Sequence, residues 1–138
     1  MGKGTAGIRH ISSRKNVGDR ASKSKYGNRK VSYDGYKFDS VREYERYREL
    51  CLLEKAGEIA KLKVQPKYPL VCGGVQVVMR SERYPNGRKV AYFADFSYTD
   101  VKAKKEVIED VKGMDTPVSR LKRSLVETMY GIPVTIVR

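Results

Sequence analysis

Residues 92–113 read YFADFSYTDVKAKKEVIEDVKG. The composition predicts two β-strands joined by a short polar turn. Lys89–Thr99 is rich in aromatic residues and Val, and Lys105–Lys112 carries Val107, Ile108 and Val111; these residue types suit a pleated, half-buried surface. A four-residue loop that pairs Asp100 with Lys105 sets Asp95 opposite Asp110. Directly opposed residues of an antiparallel pair have Cβ atoms about 5 Å apart. The period of two puts Asp110 and Lys112 on one face and Glu109 and Val111 on the other. Two carboxylates and an ammonium are thus expected on one patch of sheet. Adjacent like charges are costly unless a cation lies between them, and a hard divalent cation with oxygen ligands suits the pair.

The chain has 138 residues, enough for one compact domain. Its 29 Lys and Arg against 16 Asp and Glu give a net charge of +13, a surplus that points to a polyanionic partner, most often nucleic acid. The plain alternative is a basic protein with no such partner. No apolar run is long enough to span a membrane, and the basic N-terminus lacks the apolar segment of a secretory signal. Cys51 and Cys72 have no framework or metal spacing and read as reduced thiols of a cytoplasmic protein. The only histidine, His10, lies in a Gly/Ser/Lys-rich stretch. That argues against a Ser-His-Asp triad, a histidine-metal finger nuclease and a zinc site. Catalysis, if present, must use carboxylates, lysine or a metal.

Outward from the central stretch, residues 1–28 read as a basic flexible arm and 29–138 as the folded domain. Residues 1–30 hold nine Lys and Arg against Asp19 alone, a net +8, with too few large apolar residues to fold unaided. Such an arm lies on nucleic acid or a partner subunit, or simply solubilises the chain. Asp34-Gly35 between alternating runs predicts a hairpin. A helix is predicted from Val41 to Ala56, closed by Gly57, with Val41, Tyr44, Tyr47 and Cys51 as its apolar stripe. Ser40 and Glu43 fit a capping box. Residues 58–64 alternate as a half-buried strand ending at Gln65-Pro66. Tyr68–Cys72 and Val75–Arg80 read as strands around a Gly73-Gly74 turn, and Pro85-Asn86-Gly87 turns the chain into the central strand. Thr116-Pro117 starts a second helix that runs to about Tyr130 before Gly131, with Val118, Leu121, Leu125 and Met129 as the expected buried stripe. Pro133–Val137 is a last short strand. The expected class is α+β, one mixed sheet flanked by helices.

Asp95 followed by Asp110-Val111-Lys112 supports a definite chemistry. Phosphodiester hydrolysis needs a nucleophilic water and stabilisation of charge on the phosphorus, and carboxylate-held Mg²⁺ supplies both. A lysine on the same face orients the water or stabilises the phosphate charge. The spacing alone is a weak pattern, and a solvated Asp–Lys neighbour pair would look the same. Asp95 is nonetheless a poor choice inside the apolar run YFADF.

The segments KYGNRKVSYDGYKFDSVREYERY, GEIAKLKVQPKYPL, YFADFSY and VIEDVKGMDTPVSRLKRSLVETMYG resemble, in order and spacing, the PD-(D/E)XK nuclease superfamily and within it a small phage- and prophage-encoded nuclease family. The resemblance covers most of residues 25–131. It implies a restriction-endonuclease-like core of helix, β-meander, helix and strand. It implies Mg²⁺- or Mn²⁺-dependent cleavage of DNA in phage recombination, replication or packaging, in the host cytoplasm. Its site residues are Asp95 and Asp110 as metal ligands, Lys112 as the catalytic lysine and, from the first helix, Glu43 as a further ligand. Relatives include Holliday-junction resolvases, which makes branched DNA one implied substrate and a homodimer the implied assembly. Ala94 stands where the superfamily name has proline. Lys25, Arg29, Lys30, Lys122 and Arg123 are candidate phosphate contacts, with a solvated surface as the plain reading of each. The rival functional class is a non-catalytic basic nucleic-acid-binding protein.

Overall fold

Asp34 and Gly35 both adopt positive φ, 54° and 79°, as a type I′ turn requires. They close a hairpin of β1 (Val31–Tyr33) and β2 (Tyr36–Phe38). A computed structural model describes residues 29–138; the expected arm at residues 1–28, and Lys25 with it, lies outside the described residues. Ser40 caps α1 (Val41–Lys55), its hydroxyl accepting the Glu43 N–H at 3.1 Å. The return half of the expected capping box is displaced by one residue, because Glu43 Oε2 accepts from the N–H of Asp39 at 3.2 Å. Gly57, at φ 79°, follows the helix end. Tyr47 is buried as expected, and Leu50 is buried beside it. Val41 is exposed and Glu43 is buried instead.

The chain continues through β3 (Ile59–Val64), β4 (Lys67–Pro69), β5 (Val71–Cys72), β6 (Val75–Gln76), β7 (Val78–Met79) and β8 (Arg88–Lys89). The two strands expected between Tyr68 and Arg80 are therefore fragments. Gly73 and Gly74, at φ 58° and 79°, fold β5 back on β6, and β7 pairs with β8 across the Pro85–Gly87 turn. Then come β9 (Ala91–Phe93), β10 (Phe96–Asp100), β11 (Lys105–Val111), α2 (Pro117–Tyr130) and β12 (Val134–Val137).

The expected continuous strand Lys89–Thr99 is broken at Ala94–Asp95, because the chain changes partners there. Before the break β9 pairs with β4, and after it β10 pairs with β11 and β3. Three backbone bonds bridge the gap: Ala94 N–H to Pro66 O, Asp95 N–H to Glu109 O, and Gln65 N–H to Asp95 O, at 3.2, 3.0 and 2.8 Å. Beyond the break the register is the one read from the sequence, from Asp100 opposite Lys105 to Phe96 opposite Glu109. β12 adds in parallel to β11, which gives a four-stranded mixed sheet in the order β12-β11-β10-β3. The class is α+β. Among the described residues no helix is long and apolar enough to cross a membrane.

Apolar clusters form on the two sides of this sheet. Phe38, Tyr47, Leu50, Ile59 and Phe96 pack beneath α1. Leu70, Tyr92, Ala94, Ile108 and Val134 pack around Val126 of α2. Glu109, only 2% exposed, is held from the α1 side by Arg46. Arg46 Nε and NH2 donate to its two oxygens at 2.9 and 2.6 Å, and Tyr98 OH donates at 2.6 Å. Removing Arg46 would leave a buried charge unpaired, which costs about 3–5 kcal/mol; the fork therefore fixes α1 against β11.

The second helix departs from expectation. Thr116 caps it and Gly131, at φ 67°, ends it as read, but Val118, Leu121, Leu125 and Met129 are 63%, 62%, 42% and 37% exposed. The side toward the sheet carries Val126 with half-buried Ser119, Lys122, Arg123 and Glu127. Polar bonds rather than the apolar stripe orient α2. Arg123 grips Asp115 at 2.9 and 3.2 Å, Glu127 Oε1 accepts from the Val134 N–H at 3.1 Å, and Tyr130 OH donates to Pro69 O at 3.2 Å.

Candidate functional site

The change of partners between β9 and β10 opens the ladder beside the end of β11, and the expected site residues gather there. Asp95 stands at the break. Its Oδ2 accepts from the Val111 N–H at 2.6 Å, so the carboxylate crosses to the neighbouring strand. Asp110, 4% exposed, points to the α2 side along with Ile108. Its Oδ2 accepts from the Tyr92 hydroxyl and pairs with Lys112 Nζ at 3.0 Å. Lys112 thus lies on the face of Asp110, as the strand period requires. Val111, between them, packs into the α1-side cluster.

The electrostatics are those of acids held too close together. Burial, then the negative charge of Glu43, lifts the Asp95 carboxyl to about 8. The Val111 N–H works against that rise and the neighbouring Asp110 carboxyl adds to it. Burial likewise raises Glu43, opposed by the Asp39 N–H and aided by the charges of Asp39 and Asp110. Burial and the bond to Asp110 also raise the Tyr92 hydroxyl, which stays a proton donor at neutral pH.

Glu43 therefore shares the field of the two aspartates while its own carboxylate is turned to the start of α1. Among the described residues, no three Asp, Glu, His or Cys side chains stand in a ready-made metal cluster. A carboxylate offers about four acceptor positions, so Asp95 and Asp110 keep capacity for a cation beyond the bonds they make.

The basic candidates divide. Arg29 and Lys30 are exposed ahead of β1. Lys122 lines a cleft of about 310 Å³ with Lys112, Tyr92, Phe93, Thr116 and Ser119. Arg123 is paired with Asp115. An Asp eight residues back, ahead of the helix cap, gave no warning of that pair.

Three further residues belong to the site. Tyr92 holds Asp110 across the strand break, and uninterrupted pairing would have placed it elsewhere. Gln65, read mainly as a strand terminator, bonds Asp95 through its backbone and the Lys37 carbonyl through Nε2 at 2.6 Å. It lines a second cleft with Lys37, Asp39, Phe93, Ala94 and Asp95. Phe93 borders both clefts; in the sequence it reads as one more apolar strand residue. No curated protein and no solved structure matches the chain. A family model described as protein of unknown function (DUF1064) does match, over residues 23–135, and the chain belongs to that family.

Proposed function

We propose that the protein is a divalent-metal-dependent DNA endonuclease of the PD-(D/E)XK type, cutting phosphodiester bonds at the opening between β9, β10 and β11. The observation that carries this reading is the convergence of Asp95, Asp110 and Lys112 there, with acids whose mutual repulsion a cation would relieve. The order α1, the β3/β10/β11 meander, α2 and parallel β12 supports the same superfamily. Mg²⁺ or Mn²⁺ would be held by Asp95 and Asp110, with Glu43 able to join by turning from the Asp39 N–H. When bound, such an ion supplies an activated water and neutralises charge on the phosphate. Tyr92 keeps the Asp110 carboxylate in place by donating to Oδ2. Lys112 Nζ, 3.0 Å from that oxygen, is the cation of this face that meets the scissile phosphate or orients the water. Lys122, along the same cleft, adds a phosphate contact, and the net charge of +13 draws the polyanion in.

The proposed assembly is a homodimer. The open side of α2 carries Pro117, Val118, Leu121, Ser124, Leu125, Thr128 and Met129, with exposed Arg120 at its edge as the one charge, in a chain that is 33% charged. Depletion of charge marks interface cores, and a twofold pairs one such face with itself.

Asp110→Asn keeps the shape and removes the charge. Cleavage of plasmid or branched DNA in Mg²⁺ should fall by at least ~10²–10³, the loss seen when one transition-state-stabilising group goes. DNA binding in EDTA should persist, because phosphate contacts dominate affinity. Lys112→Ala should also lose cleavage while retaining metal binding by calorimetry. Wild-type cleavage rates in both variants would move the catalytic site away from these residues, and no cleavage by the wild-type protein would leave the non-catalytic binding protein as the better account.

A further inference from the structure

Phe93 is 60% exposed. A single exposed aromatic residue needs no explanation by itself; its position does. The two clefts beside the carboxylates both have Phe93 in their wall. One also holds Asp95, Lys37 and Gln65, and the other Lys112, Lys122 and the start of α2. Tyr92 and Ala94, on either side of it, are buried at 4% and 2% exposure, so the backbone that presents the ring is fixed. Lys67, its directly opposed partner in β4, sets Nζ 5.9 Å from the ring centroid. Phe93 and Asp95 are two positions apart, a reach of at most about 7 Å, close to the spacing of neighbouring phosphates in an extended strand.

From this placement we infer that Phe93 is a stacking platform for one unpaired nucleobase beside the phosphate that Lys112 contacts next to Asp95 and Asp110. The inference rests on the nuclease reading and narrows its substrate to DNA with an unpaired nucleotide at the cut. An aromatic ring ringed by lysines is the arrangement by which proteins hold single-stranded nucleic acid, since every base has a face to stack and a phosphate to neutralise. A fully paired duplex keeps its bases inside the helix and offers Phe93 nothing to stack on. A nucleotide freed at a branch, flap or frayed end lies its base on the ring, with Lys67 and Lys37 beside it, while its phosphate reaches Lys112.

The test uses the full chain with Phe93→Ala and Phe93→Trp, whose thermal transitions confirm folding. The probes are a branched DNA and a continuous duplex of the same sequence, each with 2-aminopurine at the nucleotide next to the cut. Binding is followed by 2-aminopurine emission in EDTA and cleavage in Mg²⁺ and Mn²⁺. Wild type should change the emission of the branched probe and not of the duplex. Phe93→Ala should abolish that change, and its affinity and cleavage rate on branched DNA should fall about 5- to 100-fold. Phe93→Trp should restore both. If Phe93→Ala matches wild type in emission and cleavage, the stacking role is overturned while the nuclease reading stands. If wild type cuts nothing yet shows the Phe93-dependent emission change, stacking stands and the nuclease reading falls. If wild type produces no emission change on the branched probe, the platform is overturned whatever the cleavage.

Discussion

Asp95 carries a burden that sets a direction for stability. Its carboxyl binds a proton more tightly in the folded protein than in the unfolded chain, and so does that of Glu43. Between the ordinary carboxylate range near 4 and about 8 the folded state therefore holds more protons, so unfolding free energy falls as pH rises. The contribution is fully present below about 4 and lost as pH climbs through the raised value. In EDTA the urea midpoint should be lower at pH 8 than at pH 5, and Asp95→Asn should flatten that slope. Mg²⁺ should also flatten it if the acids hold the ion. A midpoint that rises from pH 5 to pH 8 in EDTA would contradict the electrostatics of the site. The aspartates and Lys112 were legible in sequence because a strand period and a short hairpin loop are local rules. The Tyr92 bond to Asp110 was not, because it spans a break at Ala94–Asp95 that the apolar run conceals. Arg46 was equally silent: on a helix wheel it is one more surface arginine, and only the fold brings it to Glu109.

The helices and strands whose ends have their own chemistry were readable, and those oriented from afar were not. Asp34-Gly35, Ser40, Thr116-Pro117 and Gly131 each mark a turn or cap through a side chain or a left-handed backbone, which needs no distant partner. The facing of α2 is set from outside the helix. Asp115, Val134 and Pro69 bind its polar side and turn the apolar stripe outward. If that stripe joins two copies, Leu121→Glu with Leu125→Glu should convert a dimer to a monomer in analytical ultracentrifugation. Both positions are exposed, so the thermal transition of the monomer should not reveal a lost core contact. A wild type that sediments as a monomer at high concentration would remove the homodimer from the proposed assembly. The fragmentation of residues 67–89 into two- and three-residue strands was hidden for a related reason. Alternating apolar residues specify a strand but not how long one partner stays beside it.

For the molecule as a whole, the sheet is unequal at its two borders. The outer border of β3 is obstructed: Lys61 takes a left-handed φ of 56°, Glu54 Oε2 accepts the Leu62 N–H at 2.9 Å, and Lys63 follows. These are devices that keep a foreign strand from adding. At the opposite border β12 offers Val134-Thr135-Ile136-Val137, β-branched throughout, and pairs only with β11 among the described residues, with Glu127 covering the Val134 N–H at its start alone. Growth of the sheet by accretion is therefore one-directional. Partial denaturation should seed amyloid-like association at the C-terminal strand, with the +13 charge slowing it at low salt and screening releasing it. Thr135 is exposed, so Thr135→Lys should lengthen the lag of thioflavin fluorescence at high salt while leaving the monomer fold intact. An unchanged lag would place the seed elsewhere. If the chain gathers beside a polyanion as proposed, it meets the conditions that neutralise its own repulsion whenever it is bound, and at those moments one obstructed border leaves it a single strand to guard.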